Sequence, residues 1–341
     1  MRITGLLLLL VVGVLLTAAM LFTAGWVRPP ILVTQLGFRG TGLETLTTPE
    51  AQRVLKLANT LPEPIEKASP DGDRAGTAYQ NVQVLGDLSV EQFNRVMLAI
   101  TAWVAPPEQS CNYCHGGDNM ANDDLYTKKV ARRMLQMTRH VNQDWKSHVA
   151  ATGVTCYTCH RGQPVPNNIW FEPAPPKTGG FAASNYGMGH PSAFNGNTTM
   201  TANPFSALLE KDGEIRVQAT SALPAGYGAP IQATEQTYAL MMSMSKSLGV
   251  NCEFCHNSRD FGNWADSTPQ RVTAWHGIRL VRDLNSNFLD PLQPVFPANR
   301  LGPMGDSPKL YCATCHQGAS KPLLGVSLAK DYPELGGVPA P

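Results

Sequence analysis

Charge is what this chain has least of. Only 16% of its 341 residues are Asp, Glu, Lys or Arg, and 27 basic against 26 acidic side chains leave a formal net charge of +1. That balance offers no basis for nucleic-acid binding, which needs a concentrated positive field. Residues 3–27, ITGLLLLLVVGVLLTAAMLFTAGWV, carry no charge at all between Arg2 and Arg28. None of the eight cysteines lies near that segment, which excludes a lipid-modified cysteine there. Nor is any cysteine spare, because all eight fall into four copies of one short motif.

The copies are Cys111-Asn-Tyr-Cys114-His115, Cys156-Tyr-Thr-Cys159-His160, Cys252-Glu-Phe-Cys255-His256 and Cys312-Ala-Thr-Cys315-His316. A Cys-x-x-Cys alone reads as a redox disulfide, as half of a four-thiolate zinc site or as the attachment site of a c-type haem. The histidine after each second cysteine separates these. In c-type attachment the two thiols add to the porphyrin vinyl groups and the next imidazole reaches the iron. A disulfide or a zinc knuckle has no use for histidine at that position. With only eight histidines in the chain, four such coincidences are negligible. Four covalently bound c-type haems are therefore expected, on Cys111, Cys114, Cys156, Cys159, Cys252, Cys255, Cys312 and Cys315, with His115, His160, His256 and His316 as the proximal ligands.

Covalent haem is attached on the oxidising side of bacterial membranes, so the motifs imply export. The apolar segment agrees. Twenty-five helical residues extend about 37 Å, enough to cross a hydrocarbon core of ~30 Å with tilt. A cleavable signal has an apolar core of only ~7–15 residues, so a retained single-pass anchor over residues 1–28 is the favoured reading. The small-residue patch Thr23-Ala24-Gly25 carries the alternative of cleavage. Arginines on both flanks make the positive-inside rule indecisive, and the haems place the body, residues 29–341, on the periplasmic side.

Glycine and proline together make 57 residues, which predicts a mainly α fold with extensive loops. The motif histidines are 45, 96 and 60 residues apart, which reads as two haem pairs, about 80–162 and 232–320, around an irregular insert at about 163–231. HVAATGVTC and MSKSLGVNC both end in Gly-Val-x-Cys, so two related halves are expected, each with a glycine capping a helix before the first thiol. Four amphipathic helices should precede the four motifs. The first spans 89–104 with Ser89 and Gln92 as a capping box, and the second spans 124–151. The third spans 235–248 behind Thr234, and the fourth runs from Ser267-Thr268-Pro269 to near Asn287. Asn197-Thr-Thr199 matches a glycosylation sequon and is read as accidental.

Function turns on the sixth position of each iron, since an open one binds small molecules and a closed one transfers electrons. Met97 is the only methionine on the first helix, 14 residues before Cys111, and is the natural partner of the first haem. On the third helix Met241, Met242 and Met244 all qualify by spacing. On the second, Met134 and His148 are about 1400° apart, within ~40° of one face, but about 21 Å apart along the axis, so they serve different haems. The fourth helix has no methionine. Its haem borrows a ligand, with His148 the economical donor and His276 and Met304 as rivals. His140 points elsewhere, as a surface or supporting histidine, and His190 is given no role.

The stretches RRMLQMTRHVNQDWKSHVAATGVTCYTCHRG, MMSMSKSLGVNCEFCHN and STPQRVTAWHGIRLVRDLN resemble the tetrahaem cytochrome c subunit of purple-bacterial photosynthetic reaction centres, over about residues 80–320. The resemblance implies a multihaem cytochrome c of two pseudo-symmetric halves, with Met97, Met134, Met241 and His148 as sixth ligands in haem order. It implies that the third haem lies nearest the bacteriochlorophyll special pair, followed by the fourth, second and first, and that Arg271 stands beside the proximal haem. The run VAPPEQSCNYCH carries one residue more than the family pattern, and the lipid-bearing N-terminal cysteine common in the family is replaced by the apolar helix.

The implied function is photosynthetic electron transfer without catalytic residues. The protein re-reduces the photo-oxidised special pair with electrons from a soluble cytochrome c or high-potential iron–sulfur protein, so the reaction-centre core, that donor and the membrane are its partners. The rivals are a membrane-anchored multihaem quinol dehydrogenase, a haem oxidoreductase with one open iron, and a zinc-bound interaction module.

Overall fold

The computed structural model describes residues 3–23, 30–35, 44–117, 119–174, 200–201, 203–218 and 229–336. His190 and the sequon at Asn197 lie outside them, as does most of the small-residue patch after Thr23. Helix α1 (Ile3–Thr23) has 21 residues and an apolar surface all round, with Leu7, Leu15 and Phe22 exposed. At about 1.5 Å per residue it is ~31 Å long, so length and composition suffice to cross a bilayer. It leads to an antiparallel pair, β1 (Leu32–Gln35) and β2 (Glu44–Thr47), registered Leu32 to Thr47 and Gln35 to Glu44. Helix α2 (Pro49–Ala58) follows, started by Thr48, whose hydroxyl accepts from the Ala51 N–H at 3.1 Å.

The body is helical with long connections. After the single turn α3 (Ala75–Ala78) comes α4 (Val90–Val104), which begins at the expected capping box. The Gln92 N–H donates to Ser89 Oγ at 3.1 Å, and the Ser89 N–H donates back to Gln92 Oε1 at 3.2 Å. The second expected helix is not continuous. It runs as α5 (Tyr126–Asp144), breaks at Trp145 and resumes as α6 (Lys146–Val149). Trp145 closes α5 through its N–H to Val141 O, but a ψ of 29° takes it off the helical path.

Helix α7 (Cys156–His160) carries the second motif. Helix α8 (Ile231–Leu248) starts four residues earlier than expected, which places Thr234 inside the helix. Pro230 supplies the start instead, its carbonyl accepting the N–H groups of Ala233 and Thr234. Gly249, at φ +65°, ends α8 as a left-handed cap. Gly153 is also left-handed, at φ +59°, yet it is a turn residue rather than the cap, because α6 has already ended at Ala150. Helix α9 (Gln270–Leu284) begins after Pro269 and opens into a wider turn, Asn285–Leu289, before α10 (Cys312–His316).

Each motif helix sits on the long helix of its neighbour. Helix α4 packs on α7, α8 on α10, and α6 on α9. Three apolar clusters result. One gathers Val96, Trp103, Leu135, Tyr332 and Leu335, and a second gathers Trp170, Phe205, Leu209, Leu240 and Ile278. The third joins α5 to α9 through Val141, Leu280, Leu284, Leu289 and Leu310. Where it is described, the 163–231 stretch includes a five-residue helical turn, Ser206–Glu210, and it is not passive. Trp170 pairs with Lys309 by two backbone hydrogen bonds, and Phe205, Leu208 and Leu209 are buried.

The chain beyond residue 320, outside the span of the resemblance, closes the first cluster. There Glu334 meets Arg95 of α4 at 3.1 Å, with both side chains 3% exposed, while Arg95 also donates to the carbonyls of Ile65, Glu66 and Asp331. Removing one member of a buried pair strands the other. Glu334→Ala should cost roughly 3 kcal/mol, read as a lower denaturant midpoint, whereas Glu50→Ala in the exposed pair with Arg53 should leave the midpoint in place.

Candidate haem-binding sites

The four motifs fold in two ways that alternate along the chain. The first and third are short 3₁₀ turns, Ser110–Tyr113 and Cys252–Phe254. In each, a threonine 14 residues on holds the turn: Thr127 Oγ1 donates to Tyr113 O at 2.5 Å and Thr268 Oγ1 to Phe254 O at 2.6 Å. The second and fourth are the helices α7 and α10. There the N–H of the residue before the motif donates to the threonine inside it, Thr155 to Thr158 and Tyr311 to Thr314. Both end in a left-handed residue, Arg161 at φ +51° and Gln317 at φ +48°.

Despite this difference every motif histidine is held alike. Nδ1 faces a backbone carbonyl in all four: His115 to Met120 at 2.9 Å, His160 to Gln163 at 2.9 Å, His256 to Phe261 at 3.0 Å and His316 to Ala319 at 2.9 Å. A carbonyl only accepts, so Nδ1 carries the proton and Nε2 keeps its lone pair for a metal. Burial lowers the pKa of His160, His256 and His316, the last to about 4, so at neutral pH these rings are neutral ligands. Burial also pushes the thiols of Cys114 and Cys255 up to about 11 and those of Cys156 and Cys312 up to about 12. Thiols held neutral in this way are poor redox nucleophiles. Among the described residues, no three His, Cys, Asp or Glu side chains converge on a cation site.

A cavity of about 850 Å³ runs through the middle of the body, lined largely by apolar side chains together with Cys114, Cys255, Cys312 and Cys315. His160, His316, Met134 and His148 all face it. The second and fourth motifs adjoin there, with Cys159 Sγ and Cys315 Sγ 2.7 Å apart. His148 stands opposite His316, the ring centroids 6.1 Å apart. Its Nδ1 faces Thr273 O at 3.0 Å, repeating the arrangement of the motif histidines. Gly277 of α9 makes the room, since a Cβ there would lie 2.6 Å from His148 Cε1 and 2.9 Å from Nδ1.

The structure does not bring Met97 and Met241 to this cavity. Met97 packs against the first apolar cluster, and Met241 packs with Met244 against the second. Of the rivals, Met304 is exposed and His276 lies edge-on to Trp275. His140 is engaged by carboxylates, 2.7 Å from Asp144 and 2.6 Å from Asp283. Arg271 lies beside the third motif, donating to Asn263 O and Ser267 Oγ, with its guanidinium 4.0 Å above the Trp264 ring. Sequence reasoning passed over Gly277, though a glycine inside WHGIR was a signal, since it costs a helix interior about 1 kcal/mol unless something approaches closely.

A model of the family described as photosynthetic reaction centre cytochrome C subunit matches residues 27–336. The chain belongs to that family. It is 50% identical to the photosynthetic reaction center cytochrome c subunit of Rubrivivax gelatinosus, over 96% of this chain and 89% of that one. It is 46% identical to the subunit of Thermochromatium tepidum, over 94% and 79%, and 41% identical to that of Roseobacter denitrificans, over 90% and 86%. Its function is photosynthetic electron transfer, as a c-type cytochrome.

Family membership implies covalent haem, and the residues present fit it. Neutral imidazoles with a free Nε2 sit beside paired thiols and an apolar cavity. Between the second and fourth motifs the Nη1 of Arg161 is buried with no hydrogen-bond partner among the described residues, a donor suited to an acidic porphyrin side group. Gly277→Ala should cost about 1–3 kcal/mol by overpacking against His148, read as a lower denaturant midpoint of the haem-loaded protein.

Proposed function

We propose that the protein holds four c-type haems and conducts electrons from a soluble periplasmic donor to the photo-oxidised special pair of a reaction-centre core. The observation that carries this reading is the repeated fixing of a motif histidine by a carbonyl at Nδ1, with His148 held the same way across from His316. In this reading His115, His160, His256 and His316 are the proximal ligands. Met97, Met134, Met241 and His148 are the sixth ligands, and the eight cysteines bind the porphyrins. When bound, each haem supplies a one-electron iron couple whose potential follows its ligands and burial. Methionine at three sites and histidine at the fourth should leave the fourth at the lowest potential. Arg271 beside His256 should disfavour added positive charge at the third.

Several packing relations support two related halves. Helix α4 lies on the second motif and α8 on the fourth, so each pair shares a long helix, and the contact of Cys159 with Cys315 joins the pairs. That supports the order first, second, fourth, third; in this reading the third is the one nearest the special pair. Helix α1 serves as the anchor of a periplasmic body, and the donor is a small cytochrome c or a high-potential iron–sulfur protein. The three relatives described above, each named a reaction center cytochrome c subunit, do not favour a quinol dehydrogenase.

A pyridine haemochrome assay should give four haems per chain, falling to three when Cys156 and Cys159 are both replaced by Ala. Flash spectroscopy on native membranes, with all haems reduced beforehand, should show one c-type haem oxidised with the kinetics of special-pair recovery. Met241→Leu should shift the potential of that same haem. Special-pair recovery with no haem change would refute the proposal.

A further inference from the structure

His148 faces His316 from beyond a break in the helix that carries it. Met134 and His148 would share one face of an unbroken helix, and Trp145 divides it into α5 and α6. What holds the break lies on α9. The Trp145 indole Nε1–H donates to Asp283 Oδ2 at 2.8 Å and lies 3.2 Å from His140 Nε2. His140 of α5 meets the same oxygen through Nε2 at 2.6 Å, and its Nδ1 faces Asp144 Oδ2 at 2.7 Å. The other Asp283 oxygen accepts from Asn287 Nδ2 at 2.7 Å, and His140 stacks on Phe288 with centroids 5.1 Å apart. Burial alone would push the Asp283 carboxyl up, but the hydrogen bonds from Asn287, His140 and Trp145 together hold it below its ordinary value.

Ten residues earlier on α9, about 15 Å along the axis, Thr273 O accepts the hydrogen bond of His148 Nδ1–H, and Gly277 in between receives the ring. One helix thus grips α6 at both ends. The carboxylate sets where the second segment starts, and that start sets whether, just beyond it, an imidazole lies over Gly277.

We infer that Asp283 is a positioning residue, which fixes the break at Trp145 through its hydrogen bonds to Trp145 and His140 and so holds His148 in place across from His316. The inference rests on the reading of His148 and His316 as an axial pair. Asp283 itself touches neither ring.

The test is carbon monoxide binding to the reduced, haem-loaded protein, followed in the Soret band, with the low-spin electron paramagnetic resonance signals of the oxidised protein recorded alongside. The wild type should bind none. Asp283→Ala and Trp145→Phe should each open a single haem to carbon monoxide and remove one low-spin signal, leaving the other haems unchanged. Asp283→Asn, which keeps an acceptor for the indole, should restore the closed state. Carbon monoxide binding by His148→Ala but by neither Asp283→Ala nor Trp145→Phe would overturn the positioning role and leave the axial pair standing. Failure of His148→Ala to open a haem would overturn the axial pair and the inference with it. Opening of several haems by Asp283→Ala would mean general loosening and would equally overturn it.

Discussion

An imidazole offers a metal one nitrogen reliably only when the other is tied, and everything in this protein is arranged around that constraint. Five histidines, one in each motif and His148, have Nδ1 against a main-chain carbonyl at about the same distance. The means differ. After a 3₁₀ turn the acceptor is five residues on, and after an α-helical motif it is three, because a left-handed residue folds the chain back sooner. A backbone acceptor has no charge to lose and no rotamer to change. It therefore fixes tautomer and ring plane without adding a titrating neighbour.

The second feature is exchange between the two parts of the chain. His148 belongs by sequence to the stretch before the second motif, yet its ring lies against α9 and faces the fourth. The α5–α9 apolar cluster, the Asp283 hydrogen bonds and the Cys159–Cys315 contact all fall on this same seam. Electron transfer across this seam needs close, rigid spacing. Rigid spacing follows when the elements on both sides share a core rather than meet at a polar linker.

Burial imposes its own requirements. The imidazoles of His160, His256 and His316 stay neutral and the thiols of Cys114, Cys156, Cys255 and Cys312 stay protonated because the interior disfavours charge, whereas a buried pair such as Arg95 and Glu334 is matched in charge. Arg95 is satisfied by Glu334 and three carbonyls, and Lys309 by Asp306 beneath the Trp170 ring. Arg161 differs from these two, with its Nη1 buried and without a hydrogen-bond partner among the described residues.

Much of this is legible in the chain itself. Cys-x-x-Cys-His is a local signal, and so are the Ser89–Gln92 box, the Gly249 cap and the uninterrupted apolar run of α1, because each depends on residues within a few positions of one another. The sequence also showed that the fourth helix has no methionine, and it offered His148 as a donor with His276 and Met304 as rivals. What it could not show was how His148 comes to face His316. The break at Trp145 depends on Asp283, 138 residues away, and α8 starts at Pro230 rather than Thr234 because proline's fixed geometry outranks a weak hydroxyl cap. The place of Glu334 against Arg95 and the depth of Phe205 and Leu209 are set by long-range packing, which leaves no periodic trace in the chain. By itself the sequence determined the chemistry and the local folding of each motif, since those are short-range. Only the tertiary structure decided which distant side chain meets which histidine, because that follows from how α5, α6 and α9 fill space together.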